Sequence, residues 1–400
     1  MNFLIISIGL LFLVERIGKY LLIEDFFKRE DASSEAADRV AGLQVSILQP
    51  ILSGDPTLWD CLASNLQMKT SYNTEFLWLI DDDDAQAQIG CRQLIERYPD
   101  AVVQLISLPQ PPERISPKTF KLIAGLQQAQ GQIIAVLDDD TILPDRGLDR
   151  AIPFLDRPAV GVAFGLPYYL NFSNIWSTLV SCVVNSGSLL TYVPYTFLTA
   201  PFTINGMFFV MKREVLDLVD GFSGLETAIV DDFAIAQHFR SHGYLLAQTP
   251  VCHGISTQIK DAAHYFTLLN RWFIFPQESI LKSISIRELA IFYSTALIPT
   301  FVPAIVFGYL VLCPSAYAAI YGLIYFGVNA YILTQFNTKY FKNATPDRHI
   351  LLLLAIQLVM PIHIILALLS PRRIDWRGKT IELKADGSFE IVKQRNVPEI

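Results

Sequence analysis

The chain has 400 residues, of which 52% are hydrophobic and only 17% charged, with a formal net charge of -7. Soluble domains carry about a quarter charged residues, so part of this chain is expected outside water, while the length still accommodates one large soluble domain. The acidic balance argues against a nucleic-acid partner, which would call for a basic face, and five cysteines without a CxxC pair argue against a metal finger or a disulfide framework and read as reduced, mostly buried thiols.

Residues 1–14 are apolar, but roughly 14 residues of helix span only about 21 Å, short of a ~30 Å hydrocarbon core. Continuing to Leu22 would place Glu15, Arg16 and Lys19 at or inside the membrane boundary. Residues 1–28 therefore read as a short anchor or interfacial helix; without a basic start or a small-residue cleavage site they do not read as a secretory signal.

Residues 43–255 read as the soluble domain. Apolar, β-rich runs at 45–49, 76–80, 102–108 and 133–137 alternate with helical stretches at 86–98 and 118–129. Strands alternating with helices predict an α/β domain with a mostly parallel sheet covered on both faces, and ligands in such sheets bind beyond the carboxyl ends of the strands. Two acidic clusters fall there: Asp81-Asp82-Asp83-Asp84 stops the second run and Asp138-Asp139-Asp140 the fourth. Three adjacent carboxylates repel one another unless a cation or solvent offsets them. Asp138 and Asp140 are hard oxygen donors suited to Mg²⁺ or Mn²⁺ and a diphosphate; a solvated turn is the bland alternative. Asp81, at a strand end, is placed to contact a nucleobase or ribose.

Residues 158–211 contain no Asp, Glu, Lys or Arg, yet include Trp176, Tyr192, Tyr195 and Phe197. This run is expected to form either buried core or a lipid-facing groove, with the groove favoured because it lies between the Asp triplet and the next acidic pair. That pair, Asp231-Asp232, sits in an apolar setting that reads as a helix start. Desolvation and a like-charged neighbour would raise a carboxylate pKa there, as a general base requires, although acids are also ordinary at helix N-termini. Arg271-Trp272 lies in residues 256–288, read as interfacial helices. Its Arg is suited to a diphosphate and its Trp to an acceptor wall, or the two anchor the chain at the headgroups.

Three apolar stretches follow at 289–313, 316–334 and 350–370, each near the ~20 residues that cross a bilayer as helix. Basic residues in both the 334–349 loop (Lys339, Lys342, Arg348) and the tail at 371–400 (Arg372, Arg373, Arg377) favour the cytoplasm for both. A full crossing between them cannot satisfy that, so either the Pro361 stretch is re-entrant or one loop breaks the rule. Residues 380–392, around Asp386-Gly387, read as a β-hairpin.

Taken in order, these residues resemble the family 2 glycosyltransferases and, within them, the ceramide glucosyltransferase-like group: Asp81, Asp138 and Asp232 match its three aspartates, Ser116-Pro117-Lys118 its Pro-Lys stretch, Asn205-Gly206-Met207 the segment before its acceptor loop, and Leu268 to Trp272 its last motif, (Gln/Arg)-x-x-Arg-Trp. The resemblance covers about residues 43–335. It implies a GT-A (Rossmann-like, nucleotide-sugar-binding) domain with C-terminal transmembrane helices, its catalytic domain facing the cytoplasm. It further implies a UDP-sugar donor, a membrane lipid acceptor (ceramide-like, diacylglycerol or hopanoid-type), a divalent cation (Mg²⁺ or Mn²⁺) and inversion at the anomeric carbon. On this reading Asp232, Arg271 and Trp272 are catalytic, Asp81, Lys118 and Asp138 bind substrate, and Asp138 and Asp140 hold the metal. Leu268 stands where the motif has Gln or Arg, which removes a polar contact and argues against the first alternative, a processive polysaccharide synthase. The other alternative is a non-catalytic binder of lipid or nucleotide-sugar.

Overall fold

The computed structural model describes residues 2–34, 42–112, 114–228, 230–275, 283–369, 373–376, 379–383 and 389–393. A long helix, α1 (Asn2–Ser34), precedes the domain. There follow β1 (Gln44–Pro50), α2 (Leu58–Leu66), β2 (Asn73–Asp81), α3 (Ala85–Arg97), β3 (Val103–Leu108), α4 (Pro117–Gln128), β4 (Ile133–Leu137), β5 (Thr141–Ile142) and α5 (Gly147–Ala151). The second half contributes β6 (Val160–Tyr169), α6 (Ile175–Tyr195), β7 (Phe208–Lys212), α7 (Arg213–Leu218), α8 (Asp231–Ser241), β8 (Leu245–Ile255) and α9 (Ala262–Phe275).

The sheet order is β3-β2-β1-β4-β7-β6-β8-β5. β1, β2, β3 and β4 pair in parallel, as their alternation with helices predicts. The remaining half is mixed: β7 runs antiparallel to both β4 and β6, and β5 to β8, while β6 and β8 are parallel. The sheet is thus less uniformly parallel than expected, because after α6 the chain enters β7 from the carboxyl end of β4, where Phe208 pairs with Leu137, rather than through a βαβ crossover. β1 and β4 lie inside the sheet and are buried on both faces, which explains the unbroken apolar run of β4, while β1 buries Ser46 and Gln49 with hydrogen-bond partners on β2. One core layer packs Ile47, Trp78 and Ala135 under α2 and α3; the other packs Leu48, Leu79 and Phe209 under α4 and α8. Asp84 caps α3, accepting from Ala87 N at 3.0 Å, and Ser116 caps α4 just ahead of Pro117. Those caps set where the acidic strand ends stop and the helices begin.

The uncharged run splits between two roles. β6 is buried throughout. α6 packs Leu189 and Val193 into a core shared with β6, α1 and the last two apolar helices, and its other side lines a cavity described below. The catalytic domain and the apolar helices are therefore fused through one continuous core.

Among the described residues, three helices are long and apolar enough to cross a membrane: Ile286–Leu312, Ala316–Lys339 and Asp347–Leu369. Their outward faces are apolar, as at Leu312, Tyr317, Leu351 and Leu369. The first contains a π-helical turn at Tyr293–Leu297. α1 is longer than the expected 1–28 segment. It runs parallel to the second apolar helix, with Phe12 against Tyr325 and Phe27 stacked on Tyr340 at 3.9 Å. Arg16 and Lys19 of this helix turn inward and are buried.

The loop after the second apolar helix packs on the catalytic domain, with Phe341 stacked on Tyr168 and His349 on Phe172. Beyond the third apolar helix, strand β9 (Arg373–Trp376) lies against α9. Both ends of the third helix thus meet the catalytic side. β9 pairs with β10 (Lys379–Leu383), which pairs in turn with β11 (Phe389–Lys393). The expected hairpin strands are present, with one strand more; the Asp386-Gly387 turn lies outside the described residues.

Candidate active site

The carboxyl ends of β1, β2 and β4, the start of α8, the last turns of α9 and the flank of α6 surround a cavity of about 1120 Å³. Asp81, Lys118, Asp138, Asp140, Asp232, Arg271 and Trp272 all line it. Sequence separation hides this, since these residues come from five different elements. Arg271 and Trp272 lie within α9 rather than after it. The neighbouring Leu268 is buried against Tyr265 and Leu269.

Lys118 organises the centre. From the first turn of α4 its Nζ lies 2.7 Å from Asp138 Oδ1 and 3.1 Å from Asp231 Oδ2, and donates to the Gly206 carbonyl at 2.9 Å. Burial alone would lower its pKa, but the Asp138 and Asp231 carboxylates outweigh burial and hold it above the ordinary lysine value. Asp138 is raised by its own burial and by Asp231, more than Lys118 relieves. Its backbone is fixed by Asp138 N donating to Met207 O at 2.9 Å.

Lys121, one turn further along α4, makes the second ion pair. Its Nζ lies 2.9 Å from Asp81 Oδ1 and donates to Ile51 O at 2.9 Å. Asp139 accepts from Leu52 N at 2.8 Å, closing the loop after β1 over β4. All three acids of the triplet line the same cavity as Asp232.

Asp232 stands at the first turn of α8, against Gly206. Its pKa is pushed up to about 7, chiefly by burial and then by Asp231, with hydrogen bonding from Phe233 N and the charge of Lys118 opposing. Tyr192 of α6 lies beside it; burial and the Asp232 charge raise the phenol pKa, while a hydrogen bond with Asn205 opposes. Trp272 packs edge-on to Tyr169, ring centroids 6.1 Å apart.

Among the described residues no three His, Cys, Asp or Glu side chains converge as a complete metal cage. The hard oxygens of Asp138 and Asp140 nevertheless fit a divalent cation that is shared with a bound diphosphate, since Mg²⁺-type ions are commonly held by one or two carboxylates plus substrate phosphates. The lysines of α4 are already committed to carboxylates, so an incoming diphosphate in this acid-lined cavity calls for added positive charge.

Lys121 was missed by sequence reasoning, although it shares the α4 face with Lys118 and their i, i+3 spacing was a usable signal. Asp231 was read only as the like-charged neighbour of Asp232, and Tyr192 only as part of the uncharged run, because their places at the centre depend on elements distant in sequence.

The cavity does not end at the carboxylates. It continues between α1, α6 and the first and third apolar helices, where Arg16, Lys19, Thr295, Pro303 and Gln357 line it.

The family model described as Glycosyl transferase family 21 matches residues 11–389. Among solved structures, the chain is similar to the mannosyltransferase PcManGT from Pyrobaculum calidifontis in complex with GDP-Man and Mn²⁺, at 15% identity, covering 89% of this chain and 99% of that one, with a TM-score of 0.47. It is similar also to GalNAc-T7 with UDP, GalNAc and Mn²⁺, at 14% identity, covering 64% of this chain and 55% of that one, with a TM-score of 0.45.

Proposed function

From the premise that this chain belongs to glycosyl transferase family 21, and is therefore a glycosyltransferase, we propose that it moves a hexose from a UDP-sugar to the hydroxyl of a membrane lipid, with inversion. The observation that carries the proposal is the single cavity joining the carboxylate centre to the apolar helices. A water-soluble donor can enter at the strand ends, and a lipid can reach the same centre from the bilayer side.

In this reading Asp81 contacts the nucleoside, and Lys118 and Asp138 hold the donor. Asp138 and Asp140 would hold a Mg²⁺ or Mn²⁺ ion. Such an ion supplies positive charge to the departing diphosphate. Asp232 takes the proton of the acceptor hydroxyl. The hydroxyl oxygen then bonds to the anomeric carbon from the face opposite the leaving group, the carbon–diphosphate bond breaks, and UDP departs with the electron pair. One displacement inverts the anomeric centre. Arg271 stabilises the diphosphate as it leaves, and Trp272 shapes the acceptor side. The basic 334–349 loop packs on the catalytic domain through Phe341 and His349, and the positive-inside rule applied to that loop puts this domain in the cytoplasm.

The test incubates detergent-purified protein with Mn²⁺, a lipid extract and a panel of radiolabelled UDP-sugars. Label is expected to move into the organic phase with one donor. Label that stays aqueous with no UDP released under any donor would sink the reading. Chelation with EDTA is expected to abolish transfer, and either Mg²⁺ or Mn²⁺ to restore it. Full activity after exhaustive chelation would remove the metal from the mechanism.

Gly206 supplies a further check. A Cβ there would sit 2.9 Å from Asp232 Cβ, so one of the two must shift. Overpacking of this kind costs about 1–3 kcal/mol. Gly206→Ala is expected to lower kcat by roughly tenfold while donor affinity holds; an unchanged kcat would show that the placement of Asp232 is not critical.

A further inference from the structure

At the membrane end of the cavity a second polar cluster lies outside the reaction centre. Arg16 of α1 is only 9% exposed, yet its Nε has no hydrogen-bond partner among the described residues. The nearest carboxylate oxygen, Glu15 Oε2, stands at 4.0 Å, beyond hydrogen-bond reach. The Arg16 guanidinium rests over the Phe12 ring at 4.6 Å. Lys19, one turn on, pairs with Glu15 at 2.5 Å and donates to the Thr295 carbonyl in the π-helical turn. An ammonium has three donors, so one more remains for a ligand. From the third apolar helix Gln357, 8% exposed, adds an Nε2 donor without a partner among the described residues.

These groups have a common sense. Of the charged side chains among the described residues that line this end of the cavity, Arg16 and Lys19 are both cations. The Arg16 and Gln357 atoms without hydrogen bonds belong to residues that line the cavity and are both donors, whereas Glu15, whose oxygens also lack one, does not line it. Glu15 offsets one of the two cations and leaves the other in excess, and buried guanidinium and amide donors without hydrogen bonds are costly in a membrane setting unless a ligand satisfies them. The matching ligand has several acceptor oxygens and a negative charge. Phosphate fits best, because a guanidinium engages it with parallel hydrogen bonds. The carboxylates at the opposite end of the same cavity would repel that group and so orient the molecule.

We propose that the membrane end of the cavity binds the phosphate of an anionic acceptor lipid through Arg16, Lys19 and Gln357. The inference rests on the lipid-acceptor reading above and narrows it to lipids that carry a phosphate beside a free hydroxyl. The phosphate sits at the cations, and the hydroxyl extends toward Asp232.

The experiment uses the full chain in detergent with two probes: phosphatidylglycerol, which has both groups, and diacylglycerol, which has a hydroxyl and no phosphate. Thermal stability and transfer of label from UDP-sugars are measured for the wild type, Arg16→Gln and Arg16→Lys. Phosphatidylglycerol is expected to raise the melting temperature of the wild type by several degrees, and diacylglycerol to do so far less. Arg16→Gln should lose the shift and Arg16→Lys keep most of it. Label should enter phosphatidylglycerol, with the acceptor KM raised at least tenfold by Arg16→Gln and the donor KM unchanged. Equal stabilisation by both lipids, or an Arg16→Gln response like that of the wild type, overturns the site. Label entering only diacylglycerol overturns the phosphate-bearing acceptor. If Arg16→Gln does not fold, Gln357→Leu, which removes a neutral donor, carries the same comparison. Arg16-dependent binding of phosphatidylglycerol with no transfer to any lipid leaves the phosphate site standing and removes the lipid-transfer reading.

Discussion

Asp232→Asn is expected to reduce kcat by about 10²–10⁴, the contribution of a positioned general base, while the affinity for the nucleotide-sugar stays nearly unchanged. Asn keeps the shape of the side chain and its contact with Gly206, but cannot accept the proton. The pH dependence follows from the same group. A base works in its deprotonated form, and burial pushes Asp232 up to about 7. The kcat/KM of the wild type should therefore rise as pH increases through about 7 and level off above it. The Asn variant should lose that rise. Titration of donor binding by calorimetry, with kcat measured in parallel, separates the outcomes: donor binding lost together with activity would move Asp232 from base to donor ligand.

The second large effect is expected at Lys118. Its ammonium stands between Asp138 and Asp231, all three side chains mostly buried. Removing one partner of a buried ion pair leaves an uncompensated charge, at a cost of about 3–5 kcal/mol. Lys118→Met should therefore lower thermal stability and abolish transfer. Adding Asp231→Asn should recover much of the stability, because it removes one of the two stranded carboxylates, without recovering activity. A double variant no more stable than Lys118→Met would mean that Asp231 is relieved by some other group. The two sites share a partner, so their effects are expected to be non-additive.

How much of this was legible in the chain differs from element to element. β2 and β4 were readable because each contains a short apolar run that stops at an acidic cluster, and a parallel strand buried on both faces needs such a run; β1 was marked by its stop at Pro50 and β3 by its β-rich composition. Ser116-Pro117 marked the start of α4 for the same local reason, a cap followed by a residue with preset φ. The antiparallel insertion of β7 left no such trace, since strand direction is set by the connection and not by composition. The acids at 81, 138 and 140 could be placed at strand ends from the sequence, but nothing local distinguished Asp139, which accepts from Leu52 N, from its two neighbours. Asp231 was visible only as half of an acidic pair. Its ion pair with Lys118 exists because α4 and α8 start at the same end of the sheet.

The sequence by itself determined the α/β character of the domain, the carboxylates gathered at its strand ends, the three apolar helices and the family to which the chain belongs. Each rests on short-range patterns: periodicity, run length, absence of charge, and motifs in order. Only the tertiary structure decided the rest. It turned Arg16 and Lys19 of α1 inward, bound the third apolar helix to the catalytic side at both ends, set Lys118 between two acids, and joined the reaction centre to the membrane helices in one cavity. Those outcomes depend on burial and on which distant groups come within a few ångströms, and both are properties of packing that no local stretch of sequence contains.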